Sequence, residues 1–171
     1  MIRNVLFVCI GNICRSPIAE GYFAKALPGR MVCSAGLHAL VGEAADPLAI
    51  ELMQERGIDI TGHRARQLAS WMAREADLIV TMDSEQKRYI ERTWPAARGK
   101  VRRLCEASGV DVPDPYRQGR DAFQQVRILI EDGMDELLAW MAACDAGTIP
   151  APGSSTRGFQ ASLQPSLQLP P

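Results

Sequence analysis

The most restrictive stretch of the chain lies near its start, where Val5-Leu6-Phe7-Val8 runs directly into Cys9-Ile10-Gly11-Asn12-Ile13-Cys14-Arg15-Ser16-Pro17. A short unbroken run of Val, Leu and Phe reads as a strand buried on both faces, as found inside parallel sheets. Ser16-Pro17 reads as the opening of a helix, with Pro at the first position, where its missing N–H costs nothing. A loop held between a strand end and a helix start can turn its amides inward. Set at the positive end of the helix dipole, such a nest suits a dianion. A nucleotide-binding Walker loop is excluded, because it needs a Lys before the Ser and glycines at other positions.

The same loop opens with a thiol and closes with a guanidinium. Inward amides, the helix start and Arg15 all favour the charged form of the Cys9 sulfur. A free thiol is only about 3% ionised at pH 7, so complete ionisation is worth ~2 kcal/mol. The larger contribution has to be electrostatic. Arg15 can bind two phosphoryl oxygens bidentately while the amides of Ile10, Gly11, Asn12, Ile13 and Cys14 take the rest, a fork that Lys cannot copy. The bare pattern of Cys, five residues and Arg arises often by chance, and a strand-end Cys can be simple packing. The full string in its strand–loop–helix setting is what points to catalysis.

Cys9-Ile10-Gly11-Asn12-Ile13-Cys14-Arg15-Ser16-Pro17, followed by Ile18-Ala19-Glu20, resembles the signature of the low-molecular-weight protein tyrosine phosphatases. Ser34-Ala35-Gly36, Gly62-His63 and Asp114-Pro115-Tyr116 fall in the family's order, and the resemblance runs from about Ile2 to about Ala143. Ala39-Leu40-Val41-Gly42, Asp46-Pro47 and Pro113-Asp114-Pro115-Tyr116-Arg117 are most similar to bacterial members paired with tyrosine kinases of capsule and exopolysaccharide export. The resemblance implies a flavodoxin-like fold and hydrolysis of protein phosphotyrosine through a phosphocysteine. It implies no cofactor and no metal, since Arg15 and the amides neutralise the charge.

The rest of the composition agrees. At 171 residues the chain is long enough for one full core. A net charge of −1 offers no basic field for nucleic acid. No stretch approaches the roughly 20 apolar residues of a membrane span, and the N-terminus lacks a signal-peptide pattern, so a cytoplasmic location is expected. Five Cys without a Cys-x-x-Cys, and only two His, suggest neither a disulfide framework nor a zinc site. Oligomeric state is not legible, and a monomer is the default.

Strands and helices alternate along the chain, the pattern of an α/β fold with a four-stranded parallel sheet covered on both faces. Strand one ends at Cys9, and the helix from Pro17 turns Ile18, Tyr22, Phe23 and Ala26 to one side. Met31-Val32-Cys33 reads as a strand, Asp46-Pro47 as a helix cap with Gly57 as the stop, and 66–74 as a further helix. Asp77 to Met82 is a strand, Asp83 with Gln86 resembles a capping box, and Lys100 to Leu104 is the last strand. Phe123, Val126, Ile130, Met134, Leu137 and Met141 mark the final helix. Residues 1–146 form the phosphatase domain in this reading. Residues 147–171, rich in Pro, Gly, Ser and Gln, read as a disordered tail.

A phosphocysteine mechanism also needs a group to protonate the leaving oxygen. Asp114, flanked by Pro113 and Pro115, is either a turn-forming residue or that acid, and the resemblance implies the acid. Asp111 reads as a solvated loop charge. Tyr116 is either a half-buried loop aromatic or a wall for a flat phenyl ring; by resemblance Leu40 is the opposite wall. Ser16 offers its hydroxyl to the Cys9 sulfur or to the helix start. Asn12 suits a left-handed backbone position that shapes the loop, and Gly11 a backbone angle that a Cβ would block. The resemblance places His63 and Ser34 behind the loop. Cys14 is either a filler beneath it or a redox partner protecting Cys9 by a reversible disulfide. Cys33, Cys105 and Cys144 read as packing residues.

Two rival activities use the same fold. Thioredoxin-linked arsenate reductases need two further cysteines close together on a mobile loop, whereas this chain has only Cys105 in that region. Family members acting on phosphoarginine carry a smaller, hydroxylated residue where this chain has Ile13, whose bulk favours phosphotyrosine.

Overall fold

The computed structural model describes residues 1–153. Four strands, β1 (Asn4–Cys9), β2 (Met31–Gly36), β3 (Leu78–Thr81) and β4 (Val101–Arg103), form one sheet in the order β2-β1-β3-β4. All three neighbouring pairs are parallel. This is the expected doubly wound α/β architecture. Because the chain leaves β1 first to one side and later to the other, the carboxyl end of β1 lies where strand order reverses, the usual place for a ligand.

The alternation of side chains along β1 explains why its apolar run is unbroken. Val5, Phe7 and Cys9 enter one core with Ile18 and Phe23 of α1 (Arg15–Ala26) and Phe123, Val126 and Ile130 of α5 (Arg120–Asp145). Leu6 and Val8 enter the other, with Met72 of α3 (Ser70–Glu75) and Ile90 of α4 (Ser84–Thr93). The rings of Phe7 and Phe23 meet edge to face at 5.6 Å. In α1, Phe23 is buried while Ala26 is exposed, so the face turned to the core ends before the helix does.

Local signals hold where they rest on capping chemistry. Asp46 accepts from the Leu48 amide at the start of α2 (Pro47–Gln54), and Gly57 follows its end at φ +66°. Asp83 accepts from the Gln86 amide at the start of α4, and the Gln86 side chain returns to accept from the Met82 amide. A helix across 66–74 is not what the chain forms. Residues 66–69 are extended, Gly36 and Gln67 form a parallel bridge, and the helix begins only at Ser70. The reason lies in the hydrogen bonds: the Arg66 carbonyl accepts from the Gly36 amide and the Leu68 amide donates to the Gly36 carbonyl.

The segment expected to be unstructured begins with ordered contacts. Ile149 packs against the core and the Gly153 amide donates to the Gly99 carbonyl at 2.9 Å. The remainder of that segment, 154–171, lies outside the described residues. Among the described residues, no helix is long and apolar enough to cross a membrane.

Gly36 ends β2 directly against the loop after β1. A Cβ there would sit 2.5 Å from the Ile10 carbonyl oxygen and 2.9 Å from the Ala39 Cβ, and neither backbone can retreat cheaply. Gly36→Ala is therefore expected to cost about 1–3 kcal/mol in denaturant unfolding, as overpacked sites do. Gly62→Ala, with nothing within 4 Å, should stay within about 0.5 kcal/mol of the parent chain. Equal stability of the two variants would contradict this packing.

Candidate active site

The loop from Cys9 to Arg15 is held by its carbonyls. Those of Cys9, Ile10 and Gly11 accept from the amides of Leu37, His38 and Leu40 at 2.9–3.0 Å, all in the segment after β2. The Asn12 carbonyl lies 2.7 Å from His63 Nε2, and the Ile13 carbonyl accepts from the Asp46 amide at 2.8 Å. The Cys14 carbonyl accepts from Ile18 within α1. In a trans peptide unit the C=O and the following N–H point in opposite directions, and no cis bond occurs among the described residues. Fixing the carbonyls into the surroundings therefore turns the following amides toward the Cys9 side. The Asn12 amide shows the result, donating to Cys9 Sγ at 3.2 Å. Asn12 itself takes the left-handed φ of +57° that this bend requires.

Behind the loop the donors and acceptors can be assigned in sequence. The Arg66 amide can only donate, so the atom of Asn12 it meets at 2.8 Å is Oδ1. Asn12 Nδ2 must then donate to Ser16 Oγ at 2.8 Å and Ser34 Oγ at 2.9 Å. Each serine's single hydroxyl proton is left to point onward. Ser34 donates to Glu20 at 2.5 Å, and Ser16 Oγ lies 3.0 Å from Cys9 Sγ, to which its hydroxyl donates when the sulfur is charged. Asn12, Ser16 and Ser34 are fully buried, so each bond missing here would leave a costly orphan. His63 must carry its proton on Nε2, since its partner is a carbonyl, and its Nδ1 faces Glu20 at 3.9 Å.

The extended backbone at 66–69 now has a purpose, because a helix starting at Arg66 would withdraw the amide that orients Asn12. Ser16, Ser34, Asn12 and His63 are brought together as expected. Glu20 was visible only as part of the motif string. It lies one helical turn after Ser16, on the same side of α1, and that spacing was the available signal.

Arg15 is 97% buried, with a relative exposure of 3%. One side of its fork donates to Asp114 Oδ2 at 2.7 Å, the other to the Val112 carbonyl at 3.0 Å, with Asp83 at 3.4 Å. Asp83 thus both caps α4 and faces Arg15, a double use that the capping pattern did not announce. Asp114 reaches the same cleft as Cys9. The cleft encloses about 340 Å³ and is lined by Cys9, Ile13, Arg15, Leu40, Asp114 and Tyr116. Leu40 and Tyr116 are both partly exposed at its rim, as two walls would be. Asp111 is an exposed loop carboxylate that accepts from Ser84 and pairs with Arg103 at 2.7 Å, which holds its carboxyl below the usual range although burial opposes this.

Cys14 also lines the cleft. Burial first, then the charges of Asp46, Cys9 and Asp114, raise its thiol well above the ordinary range, against Arg15. Burial likewise raises Cys33 and Cys144 and pushes Cys105 up to about 11. These are packing thiols. Cys105 lies so close beneath α5 that a Cβ on Gly133 would come within 2.5 Å of its sulfur.

A buried sulfur facing N–H donors, an arginine fork and a movable carboxylate over one cleft can bind a tetrahedral oxyanion and transfer its central atom. Residues 4–146 match the family model described as "Low molecular weight phosphotyrosine protein phosphatase". The chain is 48% identical over 141 residues to the "Probable low molecular weight protein-tyrosine-phosphatase EpsP" of Ralstonia nicotianae, covering 82% of this chain and 95% of that one. The tyrosine phosphatase Wzb of Escherichia coli K30, solved with sulphate, superposes with a TM-score of 0.79 at 36% identity, covering 82% of this chain and 99% of that one. The YwlE arginine phosphatase of Geobacillus stearothermophilus gives 0.78 at 31% identity, over 85% and 97% of the two chains. Fold, loop and sequence agree, and the chain belongs to the low molecular weight phosphotyrosine protein phosphatase family.

Proposed function

We propose that this chain hydrolyses phosphotyrosine in proteins through a phosphocysteine, with Cys9 as nucleophile and Asp114 as acid and then base. The observation that carries this is the setting of Cys9 Sγ, which receives the Asn12 amide at 3.2 Å and the Ser16 hydroxyl at 3.0 Å beside the Arg15 fork. That sulfur is stabilised when charged, as an attacking thiolate and as the leaving group of the second step.

A phosphoryl dianion entering the bowl takes the loop amides and competes with Asp114 for Arg15, whose fork suits two phosphoryl oxygens. The displaced carboxyl then faces the leaving oxygen. In the first step the S–P bond forms, the P–O(aryl) bond breaks, and the proton of Asp114 passes to the phenolic oxygen. In the second, Asp114 takes a proton from water, the new O–P bond forms, and the S–P bond breaks to release inorganic phosphate. Arg15 and the amides stabilise the equatorial charge in both steps. Leu40 and Tyr116 hold the phenyl ring. When a peroxide has oxidised Cys9 to a sulfenic acid, the neighbouring Cys14 thiol condenses with it, forming the S–S bond and releasing water.

Sulphate in the related Wzb supports binding of a tetrahedral dianion by this bowl. The likeness to EpsP and Wzb supports a finer reading, in which the protein partner is a bacterial tyrosine kinase of exopolysaccharide export and the enzyme works in the cytoplasm. The likeness to an arginine phosphatase makes fold alone uninformative about the leaving group. Ile13 favours phosphotyrosine, since it is 8% exposed and lines the cleft, where its bulk takes room that a guanidino group would need.

Cys9→Ser should abolish turnover of an aryl phosphate while vanadate still binds. Asp114→Ala should slow turnover by about 10²–10⁴-fold. Rapid-quench assays of the parent enzyme should release one equivalent of phenol ahead of steady state. Turnover surviving in Cys9→Ser would remove the nucleophile from the account. Ile13→Thr should raise hydrolysis of phosphoarginine relative to phosphotyrosine, and an unchanged ratio would show that this residue does not select the substrate.

A further inference from the structure

Among the described residues, Arg117 is the arginine lining the cleft that the phosphoryl chemistry leaves unused. It lines the cavity with Cys9, Arg15 and Tyr116, yet it has no ion pair among the described residues. The other arginines near it in sequence are engaged, Arg103 with Asp111 and Arg120 with Glu51 and Glu55. Its guanidinium lies over the Tyr116 ring at 5.0 Å. Arg117 is exposed, so a guanidinium resting over the ring keeps N–H donors within reach of a further partner.

The backbone holds Arg117 there at a cost. The Gln118 amide donates to the Pro115 carbonyl at 2.9 Å, closing a turn in which Arg117 is the third residue, at φ +62°. The position favours glycine, and an L side chain there is strained. Gln118 Nε2 also donates to the Asp114 carbonyl at 2.7 Å, so the turn is tied to the acid's own backbone. A strained, unpaired and stacked cation beside the aromatic wall is placed to meet whatever lies next to the substrate ring.

We propose that Arg117 is a specificity-determining residue that pairs with an anionic side chain one or two residues from the phosphotyrosine, a carboxylate or a second phosphate. This deepens the phosphatase reading and rests on it. With the phenyl ring between Leu40 and Tyr116, the peptide backbone crosses the rim. Adjacent residues of an extended peptide are only about 3.3 Å apart, so a flanking group meets the guanidinium edge while the phosphoryl group stays on Arg15.

The test compares kcat/KM for four phosphotyrosine peptides of equal length, flanked by Glu, by Gln, by Lys, or by a second phosphotyrosine. The parent enzyme should prefer the Glu peptide to the Gln peptide by about 2–5-fold, chiefly through KM, as expected for an exposed ion pair. High salt should erase the preference. Arg117→Gln should bring the ratio near unity, Arg117→Lys should retain part of it, and Arg117→Glu should reverse the order in favour of the Lys peptide. A larger preference for the doubly phosphorylated peptide than for the Glu peptide assigns the site to phosphate, and the opposite order assigns it to carboxylate. A ratio of one in the parent enzyme, a ratio untouched by Arg117→Gln, or an equal loss on p-nitrophenyl phosphate and the Glu peptide would overturn the proposal. Failure of the parent enzyme to turn over any of these, p-nitrophenyl phosphate included, would instead remove the phosphatase reading beneath it.

Discussion

The carbonyls of Cys9, Ile10, Gly11, Asn12, Ile13 and Cys14 all find donors outside the loop itself, and the remaining chemistry follows from that. A loop of free peptides would sample many orientations, and ordering it around an anion would cost conformational entropy at each turnover. Here the ordering is completed on folding. Leu37, His38 and Leu40 hold one flank, Asp46 holds another, and His63 holds the apex. The amides are consequently aimed before any ligand arrives, which is where electrostatic preorganisation derives its strength.

That arrangement is possible only because of the sheet. β1 delivers Cys9 at its carboxyl end, β2 delivers Gly36 beside it, and the close approach leaves no space for a side chain at Gly36. The extended 66–69 segment then supplies the amide that orients Asn12, and Asn12 in turn sets which way two buried hydroxyl protons point. A single backbone N–H therefore fixes a chain of donors that ends on the reactive sulfur. Arg15 is held with equal economy, by two carboxylates and a carbonyl from the segments after β3 and β4.

The elements that short-range chemistry specifies were legible in the sequence. Asp46-Pro47, Asp83 with Gln86, and the long periodic final helix each carry their instruction within a few residues. Cys9, Arg15 and Asp114 stood out because their motifs are compact. The failures share a different cause. Residues 66–69 are extended because of partners some 30 and 54 positions away, which no local propensity records. Glu20 and Asp83 join the site through side-chain contacts across elements. The ordered start of the C-terminal segment depends on Ile149 meeting the core, one apolar residue among many polar ones. Composition saw the polar residues and missed the anchor.

The central claim is geometric, and a crystal structure of the enzyme with orthovanadate tests it most directly. The account predicts vanadium bonded to Cys9 Sγ, its equatorial oxygens met by the amides of the Gly11–Arg15 stretch and by the Arg15 fork, and Asp114 released from Arg15 toward the apical oxygen. Vanadate bound elsewhere, or bound at Cys9 with those amides turned away from it, would contradict the account.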